Sequence, residues 1–411
     1  MAKVASGDMA SKQVTLALLK DEAGGLMMEL GIATVSFYKG DSKRAFEAIR
    51  EQLVKVAALN PWICAHLEGA NMKFPEKPSA GDIEKICTSR KSPLTSKGSF
   101  TTICREMYKE KLVVPDGYTL AKTKASCTSL KILEGEANEF AVVFSISHVI
   151  ADGRTYYDIL KMLTPGAEVV ALASTRVVSF RDNMRKMCGE KELVWADSAG
   201  VMAMYTFGMM CKSTKCSAFY LDDAKLAEAK AGAAREGNVP YVSTNDVITS
   251  RFMKVCNSRI GMMGLDCRGR VPGIGQEVAG NYVSALTLDE TTYGTPASLR
   301  KMLSATPYKP TGMPLPGFCR WLVGKDSASF SMVTNWSSFA GNLIELSDCE
   351  LQVHLPVNNP DYNVFDLMIP FTPAPGKVGV ICWTTAVDED ALKSALPLGD
   401  SISSELFPSS K

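Results

Sequence analysis

The chain has 411 residues, 46% of them hydrophobic, which is ample for a large core and points to two domains or one domain built of two similar halves. Its formal net charge is +1, from 45 Lys+Arg and 44 Asp+Glu with no dense basic block, so nothing favours wrapping a polyanion such as nucleic acid. The 12 cysteines lack CxxC spacing, which argues against a zinc site or a disulfide framework. With no secretory apolar stretch near Met1, and with Asp8 and Asp21-Glu22 arguing against an acidic-poor transit peptide, reduced thiols in the cytoplasm are expected.

In chain order, the residues up to about position 25 are weakly patterned and read as a frayed lead-in. Met28 to Tyr38 reads as extended. Asp41 is placed to cap a helix carrying Phe46, Ile49, Leu53 and Val56 on one face, stopped by Asn60-Pro61. Trp62 to Leu67 reads as a strand containing His66, and Lys73 to Ser99 as a loop with one short helix. Ser126 to Leu133 and Phe140 to Ser147 form a hairpin across Glu134-Gly135-Glu136. Arg154 to Leu163 has helical spacing, with Tyr156, Ile159, Leu160 and Leu163 on one face.

Residues 165–212 read as a crossover between halves, which assigns residues 1–190 to an N-terminal half and residues 213–411 to a C-terminal one. The longest apolar run, Ala199 to Cys211, is about 13 residues and too short to span a bilayer; it reads as a buried helix. The second half opens with a strand from Cys216 to Leu221. A helix follows from Asp223, with Leu226, Ala229 and Ala233 on one face and Gly237 as its stop. Ser243 to Asp246 caps another helix bearing Ile248, Phe252 and Val255. Met262 to Leu265 leads into the Asp266 segment and a Pro/Gly loop; Val283 to Leu288, Phe330 to Trp336 and Val378 to Thr385 read as strands, and Thr306 to Gly317 as a Pro/Gly loop. Strands and helices mix without strict alternation, so an α/β or α+β sandwich fits better than a barrel.

One stretch carries chemistry. Phe140 to Ser147 delivers the chain to His148, Asp152 follows four residues on, and Gly153 comes next. A histidine at a strand end, where the chain must turn, is a usual place for a catalytic group, although the spacing alone equally suits a core histidine beside an ordinary turn. Scarcity favours function: the chain has 3 histidines, and His66 and His354 stand in no comparable setting.

Four segments then resemble, in order, the chloramphenicol-acetyltransferase-like superfamily, in particular the stand-alone BAHD and fungal-type CoA-dependent acyltransferases. They are Ser147-His148-Val-Ile-Ala-Asp152-Gly153, Val242-Ser-Thr-Asn-Asp246-Val, Asp266-Cys-Arg268-Gly-Arg270 with Gly280-Asn281, and Thr334-Asn335-Trp336-Ser-Ser-Phe339. The resemblance implies an α/β protein of two similar halves packed face to face around a central tunnel. Acyl-CoA, a co-substrate rather than a resident cofactor, enters from one side and a small-molecule alcohol or amine from the other. It implies His148 as general base, Asp152 turned away to pair with Arg268 or Arg270 of the Asp266 segment, and Thr334 and Trp336 reaching the reaction centre. It also implies a monomer. No metal is required, and which residues bind CoA is left open.

Two departures matter. The BAHD signature Asp-Phe-Gly-Trp-Gly is missing; the corresponding region, Asp348 to His354, keeps at most the aspartate. Condensation domains usually carry a second histidine just before the catalytic one, where this chain has Ser147. Chemically, an imidazole accepting the acceptor's proton contributes ~10²–10⁴-fold. A hydroxyl at Thr334 or an indole N–H at Trp336 donating to the oxyanion would add about 3–4 kcal/mol. The same residues leave room for a non-catalytic or regulatory binding protein on this fold, or for a condensation-type enzyme drawing on a carrier-protein thioester.

Overall fold

The strand that leads to His148 sets the architecture, because alternate side chains go to different cores. In the computed structural model, which describes residues 12–29, 31–92, 98–136, 138–188, 214–305, 330–361 and 365–402, this strand is Glu139–Ser147. Phe140, Val142, Phe144 and Ile146 join one cluster with Ile49, Leu53, Val56, Tyr156, Ile159 and Leu160. Ala141 and Val143 join another with Val35, Phe37, Phe371, Ile381 and Trp383. A strand buried on both faces is apolar throughout, which explains why this run reads as continuous rather than alternating.

It lies in a five-stranded sheet with the order Glu350–Pro356, Gly31–Lys39, Glu139–Ser147, Thr128–Glu134 and Cys87–Lys91. The expected hairpin is there, with Leu130 opposite Phe144 in antiparallel register. A seven-stranded sheet has the order Val283–Leu288, Ile260–Asp266, Phe330–Val333, Asp366–Ala374, Lys377–Thr384, Lys215–Leu221 and Leu398–Ser401. Alternate residues of Lys377–Thr384 again separate: Ile381 and Trp383 face the first sheet, while Val380 and Cys382 pack with Val247, Ile248 and Phe252 of the helix Thr244–Val255. The layers are therefore helices, sheet, shared core, sheet, helices. Strand Glu350–Pro356 lies late in the chain yet pairs with Gly31–Lys39 in the first sheet, tying the two parts together. A third, three-stranded sheet holds Gln13–Ala17, Asn71–Pro75 and His66–Glu68.

Caps fall where the sequence places them. Asp41 accepts from the backbone N–H of Lys43 and Arg44 at the start of Ser42–Leu59, and Ser243 with Asp246 forms a capping box on Thr244–Val255. Several boundaries differ. Met28 lies in a short helix, Leu26–Glu29, ahead of the strand, and Trp62 lies in a 3₁₀ turn, Pro61–Cys64, set by the proline at its start. Residues Cys87–Lys91, expected as loop, form an edge strand parallel to Thr128–Glu134. The helix Asp223–Gly237 includes Gly237, and its left-handed stop is Asn238; the Gly237 Cα instead abuts Ala297, where a Cβ would collide. The expected apolar helix Ala199 to Cys211, the boundaries at 190 and 213 and the loop Thr306 to Gly317 lie outside the described residues. Among the described residues no helix is long and apolar enough to cross a membrane.

Phe371 is fully buried in the core shared by the two sheets, and its ring lies against Gly379. Phe371→Ala should lower unfolding free energy by about 3–5 kcal/mol, read from the urea midpoint at unchanged slope.

Candidate active site

The turn that follows Glu139–Ser147 is pinned at both ends. Ile150 N–H donates to Ser147 O at 3.1 Å, and Asp152 caps the helix Gly153–Met162 by accepting from Thr155 N–H at 2.9 Å. Between them Val149, Ile150 and Ala151 are fully buried, so the turn cannot slide. His148 remains partly exposed at its apex.

The Asp152 carboxylate faces the second half of the chain. Arg268 grips it in a fork, Nη1 to Oδ2 at 2.8 Å and Nη2 to Oδ1 at 3.1 Å, and Tyr282 N–H donates to Oδ2 at 2.9 Å. Arg268 is 2% exposed, yet each guanidinium N–H has an acceptor: Nε reaches Val278 O, Nη1 also Asp266, and Nη2 also Thr155 Oγ1 and Gly280 O. Of the two candidate arginines, Arg268 is the partner. Arg270 lies at the surface and donates to Asp266 O at 2.8 Å. Asp266 orients Arg268 from the other side, accepting from its backbone N–H and from Nη1.

These residues sit on a loop closed at its neck by Cys267 N–H to Tyr282 O, with a small core of Val271, Ile274, Val278 and Tyr282 packed on Phe180 and Met184. The loop brings Asn281 to His148. The Asn281 Nδ2 group donates to His148 O at 2.7 Å and to Glu22 Oε1 at 3.1 Å, so its Oδ1 is the atom that faces His148 Nδ1 at 2.9 Å. An amide oxygen only accepts, so Nδ1 carries the proton and donates. That assignment leaves Nε2 as the basic lone pair. Burial pushes the His148 pKa below 6.5, opposed by its own carbonyl, Asp152, Asn281 and Glu22. The ring is thus neutral at physiological pH, the form a proton acceptor requires.

Thr334 and Trp336 follow the strand Phe330–Val333, and their backbone N–H groups donate to Met368 O and Pro370 O. The Trp336 indole nitrogen stands 3.9 Å from where a Cβ on Gly153 would be, and its ring meets Tyr157 edge-on at 6.0 Å. A side-chain carbon at Gly153 would thus meet the indole and the Phe339 ring at ordinary contact distance, which places both rings beside the helix start. The Thr334 hydroxyl lies 3.5 Å from the corresponding point on Gly264. Neither makes a hydrogen bond to His148 among the described residues, so the structure brings Trp336 to the His148–Gly153 turn and leaves Thr334 on the neighbouring strand end.

The other histidines have different settings. His354 is 1% exposed inside the first sheet, between Ser36 Oγ at 2.8 Å and Tyr157 Oη at 3.2 Å, and burial lowers its pKa to about 3. His66 is a strand residue whose pKa is lowered by burial and by Lys124, Lys73 and Lys85. The described cysteines are free, and burial pushes the thiols of Cys87, Cys104 and Cys127 up to about 12, which disfavours thiolate chemistry. Sequence reasoning overlooked Asn281 as a partner of the imidazole, although Gly280-Asn281 stood within one of the quoted segments. It also overlooked Glu22 and Arg176, which have no local signature.

No family model matches the sequence, and no curated protein matches it. Solved structures do. F. graminearum TRI101 complexed with coenzyme A and T-2 mycotoxin superposes with a TM-score of 0.59 at 14% identity, over 95% of this chain and 100% of that one. Vinorine synthase gives 0.59 at 13% identity, over 96% and 98%. The first condensation domain of the CDA synthetase gives 0.54 at 11% identity, over 93% of each chain. The chain has the chloramphenicol-acetyltransferase-like fold. At these identities the likeness concerns the fold, and the chemistry must be argued from this chain's own residues.

Two outcomes follow from the geometry. Asp152→Ala strands a buried guanidinium, and unfolding free energy should fall by roughly 3–5 kcal/mol in thermal melts, alongside any loss of function. His354 is neutral when folded, whereas an unfolded histidine takes a proton below ~6.5, so its contribution is complete above that pH and is lost as pH falls toward about 3, at ~1.4 kcal/mol per unit. His354→Gln, which can still bond Ser36 and Tyr157, should flatten the stability–pH curve over that window.

Proposed function

We propose that the protein is an acyltransferase that moves an acyl group from an acyl-CoA thioester to a hydroxyl or amine of a small molecule, by direct transfer within a ternary complex. The observation that carries this reading is the Nδ1-protonated His148, half-buried, with a free Nε2 lone pair, on a turn locked to the opposite part of the chain. Support comes also from the fold, which the chain shares with a protein crystallised with coenzyme A and T-2 mycotoxin.

In this reading residues 1–190 supply the base and residues 213–411 the oxyanion donors, facing each other across a central tunnel. His148 Nε2 removes the proton from the acceptor as its oxygen or nitrogen bonds to the thioester carbon. The carbonyl electrons move onto oxygen, where the Thr334 hydroxyl or the Trp336 indole N–H donates to the developing charge. The tetrahedral intermediate then collapses, the C–S bond breaks, and the imidazolium returns its proton to the departing CoA sulfur. Base and donor act at different atoms of one intermediate, and the neutral imidazole is regenerated with each turnover. Asp152 holds the turn and takes no proton in this scheme.

His148→Ala should reduce thiol release from acetyl-CoA in a panel of alcohols and amines by roughly 10²–10⁴-fold, with folding and CoA binding retained. In the wild type, the rate should climb with pH through a midpoint below 6.5, because burial favours the neutral base. CoA binding without turnover in any acceptor would favour a binding or regulatory protein. Transfer from a carrier-protein thioester but not from CoA would favour the condensation-type reaction.

A further inference from the structure

Behind Asn281 lies a second buried ion pair, which the scheme above does not use. Glu22 is fully buried, and its four acceptances run to separate parts of the chain: Leu19 N–H at 3.0 Å and Arg176 Nε at 2.8 Å on Oε2, and Asn281 N–H at 3.0 Å and Nδ2 at 3.1 Å on Oε1. Arg176 is 8% exposed and spends its remaining donors on Ser174 O, Ala279 O and, through Nη2, Ile150 O at 3.0 Å. The pair thus reaches the His148 turn twice, at the carbonyl of Ile150 and at the amide of Asn281. Gly280 is fitted to this arrangement. Its φ of +131° suits glycine, and a Cβ there would come within 2.8 Å of Arg176 Nη1.

We infer that Glu22 and Arg176 are positioning residues for the His148 imidazole, acting through Asn281 to select the Nδ1-protonated tautomer. The physical step is the orientation of one amide. An Asn side chain turned by 180° would present Nδ2 to His148 Nδ1 and ask the ring to accept there, which moves the ring proton to Nε2 and removes the base. Glu22 opposes the turn together with the His148 carbonyl, since Asn281 Oδ1 would then face both Oε1 and that carbonyl, acceptor against acceptor. Arg176 holds Glu22 in place and offsets its charge. This inference rests on the acyl-transfer reading only for its kinetic consequence; the tautomer itself is a property of the free protein.

The test is E22Q. The new amide cannot accept on both sides: either it keeps the Asn281 donors and turns its own NH₂ against Arg176 and Leu19, or the reverse. Ring nitrogen–proton NMR of His148, recorded without substrate, should change from a single Nδ1–H form in the wild type to a mixture or to Nε2–H. The imidazole should also titrate at lower pH. The charged groups around it are Asp152 and Glu22, which favour the imidazolium, and the arginines Arg268 and Arg176 paired with them, so losing the Glu22 charge disfavours protonation. kcat should fall on the order of 10- to 100-fold, the range in which partners that orient an imidazole act, with KM for acyl-CoA little changed. E22Q/R176Q removes both charges together and provides a folded sample where E22Q alone unfolds. An unchanged tautomer and titration in folded E22Q, or an unchanged tautomer in folded E22Q/R176Q, where the two lost charges offset each other, overturns the inference, and so does loss of folding in both, which would make the pair a stability element. If the tautomer shifts in a protein with no acyl transfer at all, the inference stands and the functional reading fails; normal turnover in E22Q has the opposite meaning.

Discussion

Burying the Arg268 guanidinium beside Asp152 takes two charges out of water, and the desolvation cost, several kcal/mol for each ion, is offset only if every donor and acceptor is met. Here they are met, and by groups from three places: the helix start at Thr155, the strand end at Asp266, and the loop carbonyls of Val278 and Gly280. That requirement is what makes the pair an organiser. A hydrophobic contact tolerates sliding, whereas a fork between a planar guanidinium and a carboxylate fixes distance and angle together. The turn 147–153 and the loop 266–282 can therefore approach each other in one register only, and that register places Asn281 under His148.

The basic nitrogen is thus a consequence of backbone placement. His148 sits at the apex of a turn whose interior residues are buried, its carbonyl held by Asn281 Nδ2 and its ring by Asn281 Oδ1. One amide contacts both ends of the same residue, so the ring orientation and the main-chain position cannot vary independently. Neutral hydrogen bonds of this kind are worth only about 1 kcal/mol each. Their value here is directional, since exchanging O for N in a single side chain would exchange the proton between the two ring nitrogens.

How much of this was legible in the sequence depended on whether a feature repeats. The strand to His148, the hairpin before it, the helix after it and the caps at Asp41 and Ser243 all carry period or end signals, and they appear as read. The central strand Asp366–Ala374 went unread because Pro370, Pro373 and a β-bulge interrupt its pattern, although its residues up to Thr372 are buried. Glu350–Pro356 carries no strand signal in the sequence, because its partner in the first sheet is Gly31–Lys39, far back in the chain, while its buried side chains Val353 and Leu355 share a core with Leu367 and Ile369 of the strand that follows. Arg268 over Arg270 was undecidable from spacing: two residues apart on an irregular loop, they differ in which one the glycine turn at Gly269 directs inward. Glu22 had no signal at all. Beside Asp21, in the least patterned part of the chain, it looks like solvent-facing charge, and only the fold reveals that its neighbour stays half out at the surface while Glu22 is sealed beneath the site.

Two buried ion pairs flanking one short turn invite the question of what they supply that packing would not. Well-packed apolar residues of similar volume often match or exceed a buried pair in stability, so stability alone is weak grounds for either. What apolar groups lack is direction. Arg268 and Arg176 converge on the same stretch of loop from opposite sides, Arg268 taking the carbonyls of Val278 and Gly280 and Arg176 that of Ala279. Successive carbonyls of an extended segment point to alternate sides, so the two guanidiniums clamp it as a strand is clamped by its neighbours in a sheet. Gly280 is the residue that lets Arg176 approach, and Asn281, the next along, inherits its position from the clamp. The charge pairs thus extend the isolated backbone bridge that Val278 makes with Ala173, at a point where the chain leaves the sheet to reach the imidazole.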